Sequence, residues 1–154
     1  MAEPLEAPST PAALLAAPGY AARRLYQAYL AAWVHTVDST LTGPQFAVLT
    51  AVDCFPGVDQ GSLASSVALD RSTMADVAKR LEERGLLLRE PDAADGRRKL
   101  LRLSEAGKEK LAEVDARARR LDEQLLDGYS PLRRRVLLDE LTALAEHWEH
   151  LAAD

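Results

Sequence analysis

Residues 92–99 read Asp-Ala-Ala-Asp-Gly-Arg-Arg-Lys, which sets Arg97, Arg98 and Lys99 in a row beside a tight turn. An arginine at the tip of such a turn can enter the minor groove of DNA, whose negative potential attracts it. Asp95 is placed to hold the tip arginine through a bidentate pair. In isolation the run fits equally a soluble hairpin whose charges suppress edge pairing. Upstream, Met74, Val77, Ala78 and Leu81 fall at i, i+3, i+4 and i+7, one face of a helix. With that face inward, Ser72, Asp76, Lys79 and Glu83 point away, and Thr73 and Arg80 lie on the flank. Ser72 and Thr73 are small hydrogen-bonding residues suited to base edges, and Lys79 and Arg80 are cations suited to phosphates. Arg71, at the start of the same helix, joins this candidate set. Most amphipathic helices have a solvated face of this kind, and the helix alone is more often that.

The elements that carry these residues are more specific together. A short helix opening at Asp59, a tight turn at Ala68-Leu69 and the helix from Asp70 form a helix-turn-helix. In that motif the second helix lies in the major groove with its N-terminal residues at the bases. The period then changes: Leu86–Arg89 and Lys99–Leu103 read as strands around a Pro91–Gly96 turn, a hairpin. The charge is distributed to match. Residues 71–102 carry nine Lys/Arg against six Asp/Glu, whereas the rest of the chain carries ten against eighteen. The net charge of −5 is therefore a small basic patch on an acidic body, which fits contact with DNA through one surface.

The 154 residues suffice for one domain. Residues 1–18, with prolines at 4, 8, 11 and 18, read as a mobile arm with a short helical piece over Ala12–Ala17. A single domain is expected over 19–154: a lobe at 41–103 between helical regions at 19–40 and 104–154. From Tyr20, the residues Leu25, Tyr29, Leu30, Trp33, Val34 and Val37 recur at spacings of three and four, one apolar stripe. Thr42 is a candidate N-cap with Pro44 just inside, and Phe46, Val48, Leu49 and Val52 make a second buried helix. Phe55-Pro56-Gly57 breaks it. Gly85 ends the helix from Asp70. Ser104-Glu105 opens a long helix to about Asp127, and a last helix from Pro131 carries Leu132, Val136, Leu137, Leu141, Leu144, Trp148 and Leu151. The expected fold is mainly α with a small β-hairpin wing: a winged helix-turn-helix with N- and C-terminal dimerisation helices. Those helices carry more apolar surface than a small winged lobe can cover, so a second copy is expected to cover it.

Other chemistries find little support. No nucleophile–base pair, phosphate loop or metal quartet stands out, so neither an enzyme nor a bound cofactor is expected. His147 and His150 lie at i, i+3 beside Glu146 and Glu149, but two histidines make a poor zinc site, and the group reads as a solvated helix end. With Cys54 as the one cysteine, no disulfide forms within the chain, and a reducing cytoplasm is the simplest home. Between Asp53 and Phe55, with no resolving partner, Cys54 reads as a buried thiol without a redox role. Glu3 and Glu6 stand where an export signal carries Lys or Arg, so export is not expected. No apolar run approaches the ~20 residues of a membrane span.

The runs LTGPQFAVLTAV and DQGSLASSVALDRSTMADVAKRLEERGLLLREPDAADGRRKLLRLSEAG resemble the multiple-antibiotic-resistance-regulator (MarR) family. The likeness covers about residues 20–153. LDRSTMADVAKRLEERGLL and DGRRKLLRLSEAG are its most specific parts. It implies an obligate dimer of winged helix-turn-helix protomers joined through terminal helices, binding a pseudo-palindromic operator. It also implies a repressor released by a small, often phenolic ligand. The family's wing commonly reads Asp, any residue, Arg, Asp, any residue, Arg. Asp92, Asp95 and Arg97 match, but Ala94 stands at the first arginine, where Arg98 is the candidate substitute. Tyr20-Ala-Ala-Arg-Arg-Leu-Tyr-Gln, Pro56-Gly-Val-Asp-Gln and Asp70-Arg71 look like members that regulate aromatic-acid catabolism, with aromatic carboxylates or their coenzyme A thioesters as effectors. The family's effector crevice lies between the dimer helices and the DNA-reading lobe. There Arg23 or Arg24 would pair with a carboxylate, His35 would hydrogen-bond and Trp33 would pack on the ring. The competing reading leaves the arginines solvated or on DNA phosphates. The alternative function is a winged-helix module that binds another protein. A mainly acidic face over 72–80 would favour it, and this stretch carries Lys79 and Arg80 against Asp76.

Overall fold

The computed structural model describes residues 9–153. The order is α1 (Ala12–Leu15), α2 (Pro18–Thr36), α3 (Gly43–Cys54), α4 (Gln60–Ser66), α5 (Arg71–Glu83), β1 (Leu87–Pro91), β2 (Lys99–Leu103), α6 (Glu105–Leu125) and α7 (Pro131–Ala153). Residues 1–8 of the expected arm lie outside the described residues. The rest of the arm holds α1, and α2 begins at Pro18, two residues before the expected start.

Four helices start by one rule. Thr42, Asp59, Asp70 and Ser104 each sit in extended backbone and accept the N–H three residues on, from Gln45, Ser62, Thr73 and Gly107. Each such cap is worth about 1 kcal/mol. Thr42 and Gln45 complete a reciprocal capping box. The α4–α5 turn is tight because Ala68 adopts φ 53°, in the left-handed region. Gly85, at φ 71°, ends α5.

The strand boundaries differ from expectation. Leu86 belongs to the α5 terminus: its N–H donates to the Leu81 carbonyl at 2.9 Å, and its side chain is buried. The ladder starts at Leu87 opposite Leu103 and runs to Pro91 opposite Lys99. Proline is tolerated at this last rung, where no further ladder bond is required of it.

One cluster forms the core of the lobe. Val48, Leu49 and Val52 from α3 meet Leu63 from α4, Met74 and Leu81 from α5, Leu87 and Leu101 from the hairpin and Val114 from α6. Trp33 and Val37 bring the end of α2 into it. Gln45, the buried polar residue, is satisfied: its Oε1 accepts from the Thr42 N–H at 3.1 Å and the Arg84 guanidinium at 3.2 Å.

Asp38 joins α2 to α6. Its carboxylate accepts the backbone N–H groups of Thr40 and Leu41 and the Lys110 ammonium, at 2.7, 2.6 and 2.8 Å. Burial pushes this carboxyl up, but those donors outweigh it and hold the group well below the usual carboxylate range. A depressed carboxyl stabilises the fold above its unfolded pKa of about 4 and loses that contribution as pH falls. The melting temperature is therefore expected to be flat near neutrality and to drop below about pH 4. Asp38→Ala should cost about 2 kcal/mol in chemical denaturation at pH 7, because two amides and an ammonium lose their acceptor.

The apolar stripe of α2 splits. Trp33 and Val37 are buried, whereas Leu25, Tyr26 and Val34 are exposed. No residue over 131–152 of α7 is buried, and Leu132, Val136, Leu138, Leu141, Leu144 and Leu151 are exposed. Among the described residues, no helix is long and apolar enough to cross a membrane. Cys54 is exposed rather than buried. It closes the last turn of α3, where the helix leaves the core that holds Val48 and Val52.

Candidate nucleic-acid interface

Helix α5 shows its outer face as the sequence pattern requires. Met74, Ala78 and Leu81 are buried, and Arg71, Ser72, Thr73, Asp76, Lys79 and Arg80 are exposed. Lys79 lies 3.8 Å from Glu83 one turn on, a loose exposed pair. At the N-terminus the Asp70 carboxylate gathers the two hydroxyls of the set, Ser72 at 2.7 Å and Thr73 at 2.5 Å. These bonds, with the Thr73 N–H, hold the Asp70 carboxyl far below the usual range.

The wing tip is built differently from expectation. Asp95 does not hold an arginine side chain. Its Oδ1 accepts the Arg97 backbone N–H at 3.0 Å, and its carbonyl accepts the Arg98 N–H at 2.9 Å. An aspartate two residues before an amide closes a local turn more readily than it reaches a mobile guanidinium. Arg98 is the held arginine: it meets Asp59 at 2.8 Å and Asp92 at 3.7 Å. It thus latches the wing to the α4 N-cap, and the Asp59 carboxyl is driven down by Ser62, then by Arg98. Arg98 thus spans from the wing to the start of α4 while about half of its side chain stays exposed. The Arg97 guanidinium meets no carboxylate among the described residues.

These parts converge. Arg71 of α5 lines an open cleft of about 320 Å³ together with Arg97, Arg98 and Lys99 of the wing and Asp59 and Gln60 of α4. Asp76, Lys79 and Arg80 lie further along α5, outside that cleft. Sequence reasoning missed the role of Asp59 as the wing's anchor, since nothing local links it to Arg98, 39 residues away.

The four effector candidates are not brought together. Trp33 is 3% exposed, and its indole N–H donates to the Leu41 carbonyl at 2.6 Å. It belongs to a ladder of rings from Tyr26 through Tyr29 and Trp33 to Phe46, with centroids 6.3, 6.1 and 5.3 Å apart. The Tyr29 hydroxyl would lie 2.7 Å from a Cβ at position 43, so a side chain there would push the Tyr29 ring aside. Arg23 rests on the Tyr20 ring at 5.6 Å, near the start of α2. His35 is exposed at the far end of α2, in a separate cleft with Asp38, Glu113 and Arg117. Eleven residues of helix separate Arg24 from His35, about 16 Å, more than one benzoate spans.

A capped short helix, a tight turn, a second helix with its polar face exposed and a latched hairpin with a cationic tip define a winged helix-turn-helix protein. The chain belongs to the MarR family, whose profile matches residues 41–99. Transcriptional regulator HosA of Escherichia coli is 38% identical over 108 residues, 70% of this chain and 79% of HosA. The PcaV transcriptional regulator of Streptomyces coelicolor, solved with its natural ligand, is 38% identical, with a TM-score of 0.84 over 90% of this chain and 98% of PcaV. BpsR of Bordetella bronchiseptica, whose DNA binding is regulated by 6-hydroxynicotinic acid, is 30% identical, with a TM-score of 0.74 over 82% of this chain and 97% of BpsR.

Proposed function

We propose that the protein is a homodimeric, sequence-specific DNA-binding transcriptional repressor of the cytoplasm, released from its operator by a small aromatic acid. The observation that carries the DNA reading is the convergence of Arg71, Arg97 and Lys99 beside the exposed start of α5. The exposed apolar residues of α2 and α7 support the dimer, because a second copy would cover them. The test is fluorescence anisotropy with duplexes tiled across the DNA beside the protein's own gene. Salt-sensitive binding to a pseudo-palindrome with half-sites one helical turn apart is expected. Binding no tighter than to scrambled duplex would overturn the reading in favour of a protein-binding module.

The effector reading is supported by PcaV and BpsR and by the aromatic ladder along α2. Trp33 shapes the wall of this region from within and does not touch the ligand. Arg23 or Arg24 pairs with the carboxylate. Calorimetry of simple benzoates is expected to show binding that falls at least tenfold in Arg23→Ala or Arg24→Ala and little in His35→Ala. A tenfold loss of operator affinity on ligand binding needs only ~1.4 kcal/mol of coupling. No heat from any benzoate or aromatic thioester would remove this ligand class.

A further inference from the structure

We propose that Asp70 decides which base edges α5 can read, by taking the hydroxyl protons of Ser72 and Thr73 and leaving both oxygens as acceptors toward the groove. This rests on α5 being the base-contacting helix. Ser72 Oγ donates to Asp70 Oδ1 at 2.7 Å, and Thr73 Oγ1 donates to Oδ2 at 2.5 Å. The Thr73 backbone N–H also donates to Oδ1, at 2.9 Å. A hydroxyl has one proton and two lone pairs, and an ionised carboxylate can only accept. With both protons committed, the exposed side of each oxygen offers lone pairs alone. The donors in the major groove are the exocyclic amines of adenine (N6) and cytosine (N4), whereas guanine and thymine present only acceptors there. The two residues therefore select adenine or cytosine. Serine and threonine are otherwise indifferent readers, so the selectivity belongs to Asp70, which touches no base.

The same geometry supplies a polarity switch. In Asp70→Asn, the position of Oδ1 must keep the carbonyl oxygen, because the Thr73 amide and the Ser72 hydroxyl both donate to it. The amide nitrogen then falls at Oδ2 and donates to Thr73 Oγ1. The Thr73 proton is released toward the groove, while that of Ser72 stays committed. Asparagine caps helices as well as aspartate does, so the fold is kept.

The experiment measures dissociation constants at one salt concentration for half-sites carrying each of the four base pairs at every position. Deoxyuridine replaces thymidine, so that methyl contacts do not enter. Parent, Asp70→Asn, Ser72→Ala and Thr73→Val are compared. At the position whose preference Thr73→Val abolishes, the parent is expected to favour adenine or cytosine. Asp70→Asn should shift that preference toward guanine or uracil by roughly two- to tenfold, the span of one net hydrogen bond. The preference that depends on Ser72 should not move. Losing a negative charge raises affinity for every duplex alike, so relative preference is the readout. An unchanged preference at the Thr73 position in Asp70→Asn, or a parent preference for guanine there, would overturn the inference and leave α5 as the reading helix. If no position responded to Ser72→Ala or Thr73→Val, base reading by the start of α5 would fall as well.

Discussion

Arg97→Ala is expected to weaken binding to operator and random duplex alike, by roughly 10- to 100-fold. The estimate takes two wings per dimer, each losing a solvent-screened contact of about 0.7–1.4 kcal/mol. The plot of log affinity against log salt should flatten by roughly 1.8, about 0.9 for each lost phosphate neutralisation. The physical basis is the division of labour at the tip. Asp95 fixes the Arg97 backbone, Asp59 and Asp92 occupy Arg98, and the Arg97 guanidinium is left without a carboxylate among the described residues. Arg97→Lys keeps the charge and should keep the slope while losing part of the affinity, since lysine lacks the planar fork. Anisotropy titrations at several salt concentrations decide it. An unchanged slope in Arg97→Ala would mean that the wing does not touch the backbone.

Gly107→Ala is expected to destabilise the protein by about 3 kcal/mol or more, the upper range for forcing an atom into a packed site. A Cβ there would lie 2.0 Å from the Leu86 carbonyl oxygen and 3.0 Å from its carbon. Both belong to backbone that cannot step aside. That carbonyl also accepts the Ser104 N–H at 3.2 Å, while the Ser104 hydroxyl donates to the Gly85 carbonyl at 2.6 Å. The start of α6 is thus fastened across the end of α5. Circular dichroism melts should show a lower midpoint, and DNA binding should weaken along with the loss of folded protein. A melt matching the parent would show that α6 can slide away from Leu86 at little cost.

The local rules of the chain were legible. Thr42, Asp59, Asp70 and Ser104 announce helix starts because the cap bond spans only three residues. Gly85 announces a helix end because few other residues tolerate its backbone. The hairpin was visible from the change of period, although its edges moved: Leu86 completes the α5 terminus, and Pro91 sits in the ladder. What stayed hidden depends on partners distant in sequence. Nothing near Arg98 says that Asp59 will pair with it. The stripe on α2 shows that one side is apolar, but not that its packing along α6 and onto Phe46 buries Trp33 and leaves Leu25 and Val34 outside. Cys54 was misplaced for a similar reason, because a position at the end of a helix belongs to the core or to solvent according to where the next element turns.

The hairpin is also tied at its root. The Gly57 N–H donates to the Leu101 carbonyl at 2.7 Å, the Leu101 N–H donates to the Val58 carbonyl at 3.0 Å, and Asp59 bridges to Leu100. The loop after α3 is in effect a partial third strand. Ordering a residue's backbone costs about 1–2 kcal/mol, and here folding has already ordered the hairpin before any duplex arrives. Docking then needs to immobilise little beyond the long side chains at the tip. Attractive contacts at the wing are therefore spent almost wholly on holding DNA, and the heat-capacity change of association should carry little signature of coupled folding.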